Sequence, residues 1–400
     1  MILENFYHSF LLWVESKLSD KYWLWKLVLF SAALCVFLAF PPYTLLIKHL
    51  TGGVKLDAWV FIQNQSQDLF HPKDIGYDVR RENMVFRWIL PLLSFLTGHN
   101  VLLIVIIQAV LAILFLYNIG KYIYSISNDK IVTAFFILAI SNIFVTAWAF
   151  ADIHGYGDGI AYFFLLLAII NKNYWVVFIT LLAAFFTDER AVIAGGYVML
   201  WWIVTKAYEQ NRFALKDLFE FAFTKQNIVL WLAWVLYLGI RYYVRITYFS
   251  DHQYSTVGTP VSLEDGQRGG LGSSLWGAFE GTWLLMSAAA LILILHRHYL
   301  LLLALFVGFA GCITVGIYVN DVDRAFSYGF PFILMSLFIL LKTASVRSIR
   351  VILFFTMVIC VMHPQVFYMG FDKILWLEPF PVKVLMYADI FFDWHIFDAH

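Results

Sequence analysis

LLLLALFVGFAGCITVGIY, residues 300–318, contains no charged residue. About 20 consecutive apolar residues are what a helix needs to cross the hydrocarbon core of a bilayer. Comparable runs occur at Leu27–Leu46, Val101–Tyr117 and Ile131–Phe150. Of the 400 residues, 62% are hydrophobic and 14% charged, whereas a soluble domain carries about 25% charged residues. The chain therefore reads as all-α, a polytopic transmembrane helical bundle forming a single integral membrane domain over 1–400.

Working outward from that run, apolar segments and their breaks predict about eleven spans. They fall at 27–47, 100–118, 131–149, 159–171, 174–187, 191–205, 228–245, 279–296, 300–318, 326–341 and 350–367. With the N-terminus in the cytoplasm, the inner connections hold Lys121 and Lys130, Lys172, Lys206 to Lys225, Arg297, and Lys342 to Arg350. The short basic loops then satisfy the positive-inside rule. Residues 1–26 read as a cytoplasmic interfacial helix with Phe10, Leu11, Trp13, Val14 and Leu18 on one face, not as a cleaved signal. The outer loop 48–99 should carry two surface helices, at 57–70 and 84–96. A second outer loop, 246–278, is Gly-rich and reads as flexible, and an outer aromatic and acidic tail covers 364–400.

Net charge is zero and no basic run is interleaved with aromatics, so no nucleic acid partner is expected. Cys35, Cys312 and Cys360 all lie inside apolar spans and read as small buried residues.

On this threading four polar clusters end up on the same, outer side: Asp57, His154–Asp158, Asp188–Glu189–Arg190 and Asp321–Asp323–Arg324. Charges at a membrane boundary are costly unless they face water, a metal or a partner, so they mark candidate sites. Asp57 is flanked by Leu56, Ala58, Trp59 and Val60; burial there would raise its pKa and suit it to act as a general base. In ADIHGYGDG (151–159), His154 and Asp158 at i, i+4 can share a helical face and bind a divalent cation or a sugar hydroxyl. A tight turn with Asp158 capping the next helix is the alternative. In FFTDERAV (185–192) the acids suit a cation and Arg190 suits a phosphate, unless the three residues simply pair internally. In VNDVDRAFSYGFP (319–331), Arg324 suits a phosphate, with Asp321 or Asp323 orienting it or capping the helix.

These residues, in this order, resemble the C-type superfamily of membrane glycosyltransferases. Asp57 matches the acid placed shortly after the first span, and Asp188–Glu189–Arg190–Ala191–Val192 the acidic end of a middle span. Asp321–Asp323–Arg324 before Pro331 matches a late acidic and basic cluster, and Arg87–Trp88–Ile89–Leu90–Pro91–Leu92–Leu93 the second surface helix of bacterial members. The resemblance implies a sugar donor linked to a polyprenyl phosphate, a glycan, lipid or protein acceptor, and membrane lipid as surroundings. It implies inverting transfer of a hexosyl or pentosyl group, with Asp57 as base and Asp158 and Glu189 as further catalytic acids. His154, Asp323, Arg81, Arg190, Arg245 and Arg324 would bind substrate or its phosphate. A divalent cation, Mg or Mn, would be held by Asp188 and Glu189. The expected location is a bacterial inner membrane, with the site facing the periplasm or exterior. A polysaccharide polymerase or ligase acting on lipid-linked glycans, and a transporter, are the competing readings.

Overall fold

The computed structural model describes residues 2–70, 84–248, 265–317, 319, 321–368, 374–394 and 396. Arg81 and residues 249–264 of the second outer loop lie outside them, while the Gly-rich stretch 266–274, expected to be flexible, is helical. In chain order the helices begin with α1 Ile2–Lys17, α2 Trp23–Leu38, α3 Tyr43–Leu50, α4 Asp57–Gln67 and α5 Ile89–Leu96. Next come α6 Val101–Ser127, α7 Lys130–Ser141, α8 Phe144–Ala151, α9 Asp158–Ile170 and α10 Tyr174–Phe185. They are followed by α11 Arg190–Gln210, α12 Leu215–Ala222, α13 Lys225–Tyr248, α14 Asp265–Phe279 and α15 Trp283–Leu295. The last five are α16 Tyr299–Ile317, α17 Val322–Ser327, α18 Phe330–Thr343, α19 Val346–Met362 and α20 Phe380–Phe392. Among the described residues the only sheet is a ribbon of β1 Val366–Tyr368 against β2 Ile374–Trp376, antiparallel.

The all-α expectation holds, and the count of about eleven spans is not confirmed. Among the described residues six stretches are long and apolar enough to cross a membrane, and the count reaches eight if two bent pairs each act as one span. The pairs are α2 with α3, bent by 82°, and α7 with α8, bent by 57°. Segments 159–171 and 174–187 were expected to span. They form α9 and α10, of 13 and 12 residues, and at 1.5 Å per residue these reach only about 20 Å. The segment expected at 350–367 gives α19, which starts early enough to take in Arg347 and Arg350. Apolar length alone does not reveal that a helix stops partway.

The centre of the bundle is the stretch 322–343, with 89% of its apolar window buried, against 17% for α16 at the periphery. One end of the bundle is closed by local capping. Asn128 adopts φ 54 to end α6, and the Asp129 carboxylate accepts the Val132 N–H to start α7. Asn173 and Ser345 cap α10 and α19 in the same way. Basic residues collect at this end, where Arg350 pairs with Asp129 at 2.6 Å and Lys130 donates to the Leu18 carbonyl. Val14 of α1 and Leu18 just beyond it are buried, while Trp13, expected on the same face, is exposed.

At the opposite end the connections are long-range. α4 sits on the turn after α8, its Trp59 indole donating to the Ile153 carbonyl at 2.7 Å, and Gln65 donates to the Val85 carbonyl. The turn residue Gly157 has φ +78, and a Cβ there would lie 2.8 Å from Leu90. Gly157→Ala should therefore cost about 1–3 kcal/mol. Thermal unfolding in detergent should show a lowered midpoint for this variant and none for Gly196→Ala, where a Cβ meets open space. Equal midpoints would contradict this account of the turn.

Candidate functional site

The turn 152–157 is wound around one carboxylate. Asp152 accepts the backbone N–H groups of His154 at 3.1 Å, Tyr156 at 3.1 Å and Gly157 at 2.8 Å. Gly155, at φ +85, lets the turn slide beneath the Trp59 ring, where a Cβ would come within 3.0 Å. The Gln108 amide, from α6, donates to the Ala149 and Asp152 carbonyls and ties the turn to the bundle. The result delivers Asp158 as the first residue of α9, fully buried.

Asp158 is saturated. One oxygen receives the Trp148 indole N–H at 2.9 Å and Arg324 Nε at 2.7 Å, and the other receives the Tyr328 hydroxyl at 3.0 Å. It neither caps α9 nor shares a helical face with His154, as the i, i+4 spacing had suggested. The glycines keep 152–157 out of helix, and His154, half-buried, stacks beside Tyr156 instead.

Asp188 forms the second node. Its carboxylate takes Arg190 Nε at 2.9 Å, the Arg190 backbone N–H at 2.9 Å and Arg87 Nη1 at 3.2 Å. Burial opposes its charge, but the guanidiniums of Arg190, Arg87 and Arg324 outweigh that and hold it well below the usual carboxylate range. Glu189 is gripped at both oxygens by Arg87, at 2.7 and 2.8 Å. Burial likewise works against the charge on Arg87, and Asp188 and Glu189 override it.

Arg324 joins the nodes. It is 1% exposed, pairs with Asp158 and Asp321, and lies 3.9 Å over the Tyr156 ring. Its Nη2 makes no hydrogen bond, and lies 4.0 Å from Asp188 Oδ2. Three of the four clusters therefore meet in one buried network of three guanidiniums and four carboxylates: Arg87, Arg190 and Arg324 with Asp158, Asp188, Glu189 and Asp321.

Other expected residues stand apart from this network. Asp57 is exposed, not buried, because it opens α4 on the face turned away from Trp59 and Ile62. Asp323 is buried on α17. Arg245, half-exposed on α13, makes no described contact with the network. Asp188 and Glu189 do not fit a metal site, because their oxygens are spent on Arg190 and Arg87. Among the described residues no group of three or more His, Cys, Asp or Glu side chains is arranged for a metal ion. The residues that sequence reading passed over are Arg87, Trp148, Tyr156 and Tyr328. Of these only Arg87 left a signal, a lone cation in MVFRWILPLL. No family model, characterised protein or solved structure matches the chain.

Burial, together with the neighbouring Asp158 charge, pushes the Asp152 carboxyl up to about 6 despite Arg324 and the N–H groups of Gly157 and Tyr156. A carboxyl whose folded value exceeds its unfolded one binds protons more tightly when folded. It adds stability fully below about pH 4, and that stability is lost as pH rises through about 6. Thermal unfolding of the wild type, measured against Asp152→Asn, should therefore shift upward as pH falls from about 7 to about 5. A pH-independent difference would contradict this.

Proposed function

We propose that the chain is a membrane glycosyltransferase. It moves a sugar from a polyprenyl-phosphate donor to an acceptor hydroxyl at the end of the bundle that carries the arginine network. The observation that carries this reading is the convergence of Arg87, Arg190 and Arg324 with four carboxylates beside α4, whose first residue is the exposed acid Asp57. Asp57 makes no ion pair with the described residues and so is available to accept a proton.

The charge balance decides which group receives phosphate. Four carboxylates against three guanidiniums leave no spare positive charge, so an incoming phosphate must displace an acid. Arg190 is committed to buried Asp188. Arg87 and Glu189, with side chains 12% and 24% exposed, form a pair in which solvent reaches both partners, whereas the Asp321 side chain, 33% exposed, is held by an Arg324 side chain that is 2% exposed. A phosphate with the same bidentate geometry replaces Glu189 on Arg87. In the reaction, Asp57 takes the acceptor hydroxyl proton, and the oxygen bonds to the anomeric carbon from the side opposite the phosphate. The bond from carbon to phosphate oxygen breaks, and the electron pair leaves with the lipid phosphate, stabilised by Arg87. The basic end lies in the cytoplasm under the positive-inside rule, so the site opens on the exterior or periplasmic side of a bacterial inner membrane.

A transporter is the second reading. The helix pairs bent by 82° and 57° favour it, because broken helices expose backbone groups that bind ions and solutes.

With polyprenyl-phosphate sugars as donors, Asp57→Asn should lower turnover by about 100-fold or more while donor binding persists. Undiminished turnover would remove Asp57 as base. Arg87→Ala should raise the donor KM and Glu189→Gln should lower it, since the acid competes with phosphate for the same guanidinium. KM values that move together would contradict the exchange.

A further inference from the structure

A second buried carboxyl lies beside the network without belonging to it. The span Leu271–Leu295 is interrupted at Glu280–Thr282 by a 3-10 turn. Glu280 there adopts φ +44, a left-handed backbone that a non-glycine residue holds only under constraint from its surroundings. Its side chain is fully buried, and neither carboxylate oxygen has a hydrogen-bond partner among the described residues. The titratable groups that face it are Asp323 of α17, the thiols of Cys35 and Cys360, and His363 just beyond α19. No lysine or arginine is among them. Gln365 adjoins it, but the amide nitrogen of Gln365 donates to the Asn142 carbonyl at 2.8 Å. An ionised carboxylate so placed has no countercharge, and a protonated one needs none.

The route to it is set by hydrogen-bond direction. Trp276 Nε1 lies 2.9 Å from His363 Nε2. An indole N–H can only donate, so Nε2 holds a lone pair and the hydrogen of the neutral ring is on Nδ1. Nδ1 faces Glu280 Oε1 at 3.6 Å, just beyond a direct hydrogen bond. Burial keeps the imidazole below its ordinary value, in keeping with a neutral ring. The three groups run from the surface inward: Trp276 is 42% exposed, the His363 side chain 23% exposed, and Glu280 is buried.

We propose that Trp276, His363 and Glu280 form a proton-loading site in which Glu280 receives a proton from the surface through His363 and Trp276 latches the path. When the indole turns aside, a hydronium ion gives its proton to Nε2. The Nδ1 proton then passes to Glu280 Oε1. One proton enters, the ring ends neutral with its hydrogen on Nε2, the carboxylate becomes a carboxylic acid, and water is released. Loading Glu280 removes its repulsion of Asp323, the residue next to Arg324. The site thus feeds α17, whose Arg324 binds Asp158, and it stands whether or not the chain transfers sugars.

Infrared spectra of the full-length protein in liposomes test this at neutral pH. The expected spectrum holds a carboxylic-acid carbonyl band that disappears in Glu280→Gln and shifts on transfer to heavy water. That shift should be severalfold slower in His363→Ala and faster in Trp276→Phe, which keeps the ring but removes the N–H. Identical exchange rates in all three proteins, or no band that depends on Glu280, would overturn the proposal. Should Glu280→Gln fail to fold, wild-type protein treated with dicyclohexylcarbodiimide decides, because the reagent modifies carboxyls that carry a proton in apolar surroundings. Modification mapped to Glu280 supports the site, and an unmodified Glu280 overturns it.

Discussion

A guanidinium that is 1% exposed, deep in an apolar bundle, must find its countercharge inside the protein. Arg324 finds it in Asp158 and Asp321, with Asp188 next in reach. Removing one partner of a buried pair costs about 3–5 kcal/mol, because the other charge is stranded. That penalty constrains everything near it. α17 has to lie against the first turn of α9, the 188–190 turn has to face both, and α5 has to enter beside Arg87. Any packing that separates these elements strands several charges at once.

The two ends of the bundle answer this constraint differently. At the basic end, Asp129, Asn173 and Ser345 satisfy the first N–H groups of their own helices, so each turn is locally self-sufficient. At the other end, Glu189 and Asp321 occupy the N-cap positions of α11 and α17 without capping them by side chain. Their oxygens go to Arg87 and Arg324 instead. Glu189 is thus diverted from capping to a partner 102 positions away, and Asp321 to the Arg324 of its own helix that also holds Asp158, so at this end caps give way to a charged constellation. Asp152 and Glu280 are buried carboxyls of a different kind, Asp152 wound into its own turn and Glu280 facing His363.

Much of this end was legible in the sequence because charges are rare in the chain. Asp188–Glu189–Arg190 and Asp321–Asp323–Arg324 stand out between apolar spans, and Asp158 follows a turn with two glycines, Gly155 and Gly157. What could not be read is partnership. Arg87 pairs with Glu189 from 102 positions away, and nothing in the pattern of either segment specifies the other. The exposure of Asp57 was hidden for a related reason. Its apolar neighbours suggested burial, but α4 turns Ala58, Trp59, Phe61 and Ile62 inward and leaves residue 57 outside. The count of about eleven spans includes α9 and α10, which are apolar throughout yet short, and composition is silent about where a helix ends within the membrane.

The central claim is that Arg324 and Asp158 are held as one unit, and a double-mutant cycle measures it most directly. Unfolding free energies would be determined for the wild type, Asp158→Asn, Arg324→Gln and the double variant under identical conditions. The account predicts that the double variant is more stable than at least one single variant, with a coupling of about 1–3 kcal/mol, since removing both charges strands neither. Additive losses would contradict it and would reduce the pair to two independent polar groups.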